Sequence, residues 1–131
     1  MHGGNMKKKI QIKYKSIFKY DDHHETVQYQ ARGTYEKDDQ KLKISFYQDD
    51  TKIEITIRNQ DVLLVHGRSI LNLSYHRKIM SHYYTEYGMI ELQTELLTLE
   101  YDKQIKLKYI LYDNGHKISD VYVLVNYQMM E

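Results

Sequence analysis

The sequence predicts an all-β domain, an antiparallel meander closed into a barrel of about eight to ten strands. Three observations carry that prediction. From Lys7 to Met129, apolar and polar residues alternate with a period of two, the side-chain period of a pleated strand. Short polar turns separate the alternating runs, and short turns join antiparallel neighbours. The 131 residues include no proline and show no low-complexity linker, so one domain is expected. A meander of long strands hides its edges best by closing on itself, which favours a barrel over a two-sheet sandwich.

The first strand sets Ile10, Ile12, Tyr14, Ser16 and Phe18 against Lys9, Gln11, Lys13, Lys15 and Lys19. Lysine on one face points charge to water and discourages edge-to-edge aggregation. After the turn at Asp21–His24, Val27, Tyr29, Ala31, Gly33 and Tyr35 share a phase, and Gly33 predicts a bulge or sharp coil. The turn Glu36–Gln40 leads to Leu42, Ile44 and Phe46, and Gln48–Asp50 leads to Ile53, Ile55 and Ile57. Asn59–Asp61 turns into Val62–Val65, which is apolar on both phases, so something is expected to cover its second face. Gly67–Ser69 turns into the strand Ile70–Tyr75.

Arg77–Gly88 has no clean period and reads as a short helical turn or an irregular crossing. Alternation resumes at Ile90, Leu92, Thr94 and Leu96. It slips at Leu96-Leu97, where a bulge is expected, and continues through Leu99 to a turn at Tyr101–Lys103. Ile105, Leu107, Tyr109 and Leu111 make the next strand. Asp113-Asn114-Gly115 is the strongest hairpin signal, because Asn-Gly accepts the positive φ angles of a type I′ turn. Val121, Val123, Val125 and Tyr127 form the last strand.

Composition narrows function mainly by exclusion. The formal net charge is +1, without the basic excess of a duplex-binding domain, so no nucleic-acid partner is expected. No run approaches the roughly 18 apolar residues of a membrane helix, so no membrane insertion is expected. The absence of cysteine removes disulfides and cysteine chemistry, and fits a reducing, cytoplasmic setting. Residues 1–6 contain no apolar signal-peptide region and read as a disordered leader, with residues 7–131 as the domain.

Tyrosine carries what functional signal there is: 14 residues, against two phenylalanines and no tryptophan. Each combines a large apolar body with a hydroxyl that seeks a partner when buried. Tyr14, Tyr29, Tyr35, Tyr109 and Tyr127 lie in the inward phase and, with Thr94, are the candidate lining of a small-molecule pocket. The competing explanation is structural, since aromatics favour strands and cross-strand pairs. His66, His76 and His82 have no spacing that demands a metal, and Ser69, Ser74 and Ser81 lie in no nucleophile motif. No catalytic residue, metal or cofactor is therefore expected.

The run Ser81–Gly88 followed by Met89–Thr94 resembles the centre of the YwiB-like family of uncharacterised bacterial proteins. In that family a Thr-x-Tyr/Phe-Gly segment, here Thr85-Glu86-Tyr87-Gly88, leads into an apolar strand that ends in threonine. The Lys-rich first strand and Gly33-Thr34-Tyr35 agree, although many members carry proline where this chain has Glu86. The resemblance implies a calycin-like, lipocalin-like β-barrel in a cytoplasmic bacterial protein, with no established activity and no catalytic residues. By fold analogy it suggests a small apolar or amphipathic ligand. Tyr83, Tyr84, Thr85 and Tyr87 then join the candidate binding residues, at one mouth of the barrel. The competing functional reading is a protein-interaction module with a solid core and an outward patch around Leu63/Val65 and Leu97/Leu99, homodimer formation being one version.

Overall fold

The computed structural model describes residues 6–130; Met1–Asn5, most of the expected leader, and Glu131 lie outside the described residues. Ten strands follow one another: β1 (Met6–Lys19), β2 (His24–Lys37), β3 (Leu42–Gln48), β4 (Thr51–Arg58), β5 (Asp61–His66), β6 (Ser69–Ser74), β7 (Lys78–Thr85), β8 (Gly88–Glu100), β9 (Gln104–Asp113) and β10 (His116–Met129). Each bonds to its sequence neighbours, and β1 pairs antiparallel with β10 from Ile10↔Met129 to Lys19↔Asp120. The sheet is therefore a closed barrel. β1 begins at Met6, one residue inside the expected leader.

Alternation places the core as anticipated. Ile10, Ile12, Ile44, Ile53, Ile55, Leu96, Ile105, Val121 and Val125 are wholly buried. Burying each such side chain contributes about 1.5–3 kcal/mol. Asn114 and Gly115 take φ angles of 51° and 81°, the left-handed pair that a type I′ hairpin requires. The β8–β9 register slips between Leu96 and Thr98, which is the bulge expected at Leu97.

Three expectations need correction. Arg77–Gly88 is neither helical nor irregular along its length, because Lys78–Thr85 is a strand paired with β8 from Lys78↔Glu95 to Thr85↔Gly88. Its period was hidden because small polar Ser81 and Thr85 share the inward phase with Ile79 and Tyr83, while Met80 and Tyr84 face outward. The irregular part is confined to Tyr75–Arg77. There His76 has a φ of 55° and its amide donates to the Leu96 carbonyl at 2.8 Å. Gly33 marks no bulge, since its register runs unbroken on both sides. A Cβ there would stand 2.3 Å from the Ser45 carbonyl oxygen, so glycine is required for close approach of β2 to β3. The chain does bulge between Lys117 and Ser119 in β10, where no pattern announced it. As for Val62–Val65, Val62 and Leu64 are buried and Leu63 stays 38% exposed; no described segment covers that outer face.

The seam between β6 and β7 is built by side chains. The two strands share one direct register pair, Ile70 with His82. Below it the Asn72 amide donates to Ser81 Oγ at 2.8 Å, and the Ser81 and Thr94 hydroxyls share a 3.0 Å hydrogen bond. Thr94 Oγ1 in turn donates to the Asn72 carbonyl at 2.5 Å. Above it the Tyr84 amide donates to Ser69 Oγ at 2.9 Å. Ser81 and Thr94 are fully buried, so these hydroxyls satisfy backbone groups that the splayed strands would leave bare.

Candidate functional site

The barrel has two unlike ends. At the end holding the β2–β3, β4–β5 and β8–β9 turns, inward side chains fill the lumen. Leu42, Ile57, Val62 and Leu73 are at most 5% exposed. Tyr35 of β2 and Tyr127 of β10 tilt against each other at this end, over the intervening β1, with ring centroids 5.5 Å apart.

The opposite end is framed by the β1–β2 and β7–β8 hairpins. β2 bonds to β3 only from Gly33 to Lys37, so its His24–Arg32 half stands beyond β3, paired with β1 alone. Likewise the Gly88–Leu92 part of β8 pairs with β7 but not with β9. These staggered walls leave inward-phase apolar side chains uncovered. Val27, opposite Ser16, is 39% exposed, and Ile90, opposite Tyr83, is 44% exposed. Phe18, Tyr29 and Tyr83 are only partly buried against the core.

Beneath this rim lies an aromatic floor. Tyr14 and Tyr29, a directly opposed cross-strand pair, stack at 5.0 Å, and Phe46 tilts against them at 5.7 and 6.2 Å. Burial pushes the Tyr14 phenol up, Ser16 as a hydrogen-bonding neighbour partly offsets this, and nearby Tyr83 adds to it. Burial likewise holds the Tyr109 phenol well above its ordinary range, with Tyr14, Tyr83 and Tyr20 contributing. Burial also raises the Tyr29 phenol far above that range, with Tyr14 adding to it. Tyr29 stands out for a second reason. Its hydroxyl is the one buried side-chain polar atom without a hydrogen-bond partner among the described residues. An unsatisfied buried hydroxyl costs on the order of 1–3 kcal/mol.

The structure thus gathers four candidate residues, Tyr14, Tyr29, Tyr83 and Tyr109, at one mouth. Tyr35 and Tyr127 stand at the other end. Thr94 is spent on the β6–β7 seam. Thr85 organises the β7–β8 turn, accepting from the Tyr87 amide at 3.1 Å and donating to the Gly88 carbonyl at 2.9 Å. Tyr84 faces outward beneath the Arg68 guanidinium at 4.9 Å, and Tyr87 is 91% exposed at the hairpin tip. Sequence reasoning passed over Phe18, Val27 and Ile90 as ordinary core positions. Their phase was legible, but their exposure depends on neighbouring strands that stop short of them. Among the described residues, no three His, Asp or Glu side chains gather as a metal site. Among the described residues no helix is long and apolar enough to cross a membrane.

Fold and site together define a closed ten-stranded antiparallel meander barrel, plugged at one end and aromatic at the other. The chain belongs to the DUF1934 family, a domain of unknown function whose model matches residues 10–124. Among solved structures it is similar to the crystal structure of ywiB protein from Bacillus subtilis. The two share 17% sequence identity over 95% of this chain and 94% of that one, with a TM-score of 0.76. The YwiB-like resemblance read in the sequence is therefore correct at the level of family and barrel. No curated protein matches the chain.

Proposed function

We propose that this barrel is a non-enzymatic, cofactor-free receptor for a small amphipathic molecule held in the open mouth, in a cytoplasmic setting suited to a cysteine-free chain. The apolar part rests on Phe18, Val27, Tyr83 and Ile90, and a polar group reaches the Tyr29 hydroxyl. The observation that carries this reading is that hydroxyl, buried without a partner beneath a half-exposed apolar rim. A ligand group that hydrogen-bonds it recovers what the free barrel forgoes. The filled lumen limits the ligand to the upper layer of the barrel.

The test uses a neutral fluorescent amine, N-phenyl-1-naphthylamine. We expect saturable enhancement at one site per barrel. Ile90→Lys should abolish it by placing a charge on the rim. Tyr29→Phe should weaken it while leaving thermal stability unchanged or higher, because an unpaired hydroxyl is removed. No enhancement with the native chain, or enhancement indifferent to both substitutions, overturns the proposal.

A second reading has its own observation. On the outer face of β5–β8, Leu63, Ile70, Met80, Tyr84 and Met89 are each 38–49% exposed. Such a patch supports self-association, and a homodimer in light scattering that Met80→Lys returns to monomer would favour it.

A further inference from the structure

Closure of β1 onto β10 assembles a surface that belongs to no single segment. The outward phases of β9, β10, β1 and β2 form cross-strand rows, Lys106–Leu124–Lys15–Gln28 and Lys108–Tyr122–Ile17–Thr26. A third row runs Gln104–Asn126–Lys13–Gln30. Three grooves of about 490, 640 and 320 Å³ lie on this face. They are continuous, because the first two share Lys15 and Leu124 and the last two share Lys13 and Asn126. No Asp or Glu lines any of them.

The cations are available. Lys13, Lys15, Lys19 and Lys108 take part in no ion pair among the described residues, and Lys106 has only Glu100, at 3.9 Å. Asp120, opposite Lys19 at the margin, is engaged by Lys117 at 2.7 Å. Tyr122 gathers two ammonium groups, with Lys19 5.0 Å and Lys108 5.2 Å from its ring centroid. Alternate lysines on one strand stand about 6.8 Å apart, comparable with the phosphate repeat of an extended single strand. Between them Gln11, Gln28, Gln30 and Asn126 line the same grooves. Amides both donate and accept, which suits base edges. An anionic lipid surface or a carboxylate polymer can meet the lysines but presents no fixed array of donor and acceptor edges at the spacing of successive bases.

We infer that the outer face of β9–β10–β1–β2 binds single-stranded nucleic acid, its lysines on the phosphates and its amides on the bases. This departs from the expectation drawn from net charge, because the near-balance of the whole chain conceals a face on which cations are segregated. The lysines and amides of this face lie in the outward phase, opposite to the inward phase of the mouth residues, while the middle groove also borders Tyr14 and Tyr29.

The experiment is fluorescence anisotropy with labelled single-stranded RNA and DNA oligonucleotides of mixed sequence, across a salt series. Anionic phosphatidylserine vesicles and polyglutamate serve as competing arms. We expect binding that weakens linearly in log–log salt. Lys15→Glu/Lys108→Glu should lower affinity at least about tenfold and flatten the slope by about 1.4, at 0.7 per lost phosphate contact. Both side chains are partly exposed on the outer face, and a far-ultraviolet melt verifies that the variant folds. Lys103→Glu, at the plugged end, should change neither quantity. No binding by the native chain overturns the inference. So does binding untouched by the double reversal, or equal competition by vesicles or polyglutamate.

Discussion

The two ends of this barrel are made of the same alternating strands and differ in how far neighbouring strands extend. At the plugged end, most inward side chains find neighbours on both sides, Leu42, Ile57, Val62 and Leu73 packing to near-zero exposure, and Tyr35 of β2 meets Tyr127 of β10 over the intervening β1. At the mouth, β1–β2 and β7–β8 outrun β3 and β9, and residues of the same inward phase are left in the open. Phase decides which way a side chain points. Stagger decides whether anything is there to receive it.

Packing substitutions should separate the ends most strongly. Ile55→Ala, in the filled lumen, should cost about 2–5 kcal/mol by urea unfolding, from lost transfer energy and the cavity left behind. Ile90→Ala, in the same phase at the rim, should stay within about 0.5 kcal/mol of the native chain. Equal costs would mean that the mouth is packed as tightly as the lumen.

The next effect concerns the seam below the mouth. Thr94→Val keeps the volume but removes the shorter of the two hydroxyl donors to the Asn72 carbonyl, leaving Ser81 Oγ at 3.3 Å, and should cost about 0.5–1.5 kcal/mol. Amide exchange of Asn72 and neighbouring β6 groups should accelerate more than that of β1 or β10, whose ladder is backbone throughout. Uniform acceleration would make the hydroxyl pair a bystander.

The smallest effect at neutral pH becomes visible only in alkali. Burial raises the folded-state phenols of Tyr14, Tyr29 and Tyr109 above the unfolded value of about 10. Their contribution to stability is fully present below about pH 10 and is lost as pH rises through the folded values. Tyrosinate absorbance from these three should therefore appear together with loss of the sheet's circular dichroism. Ionisation of all three with the sheet intact would show a mouth open to water down to its floor.

The sequence was most legible where one local rule acted alone. Asn114-Gly115 specified a type I′ turn, and the Leu96-Leu97 slip announced a bulge, because each is a matter of a few adjacent residues. β7 was misread because Ser81 turns inward to replace a ladder hydrogen bond, a role that depends on Asn72 and Thr94 on two other strands. The mouth was half legible. The inward tyrosines were identified, but their division between two ends and the exposure of Val27 and Ile90 depend on register across strands.

By itself, then, the sequence determined the strands, their inward faces and their antiparallel order, since a period of two and short turns act through bonded neighbours. The tertiary structure alone decided which end is open and which lysines stand together. Closure sets β1 beside β10, whose residues are more than a hundred positions away in the chain. Only then do Lys13 and Lys15 share a surface with Lys106 and Lys108, and only the stagger of that closed sheet leaves the Tyr29 mouth uncovered.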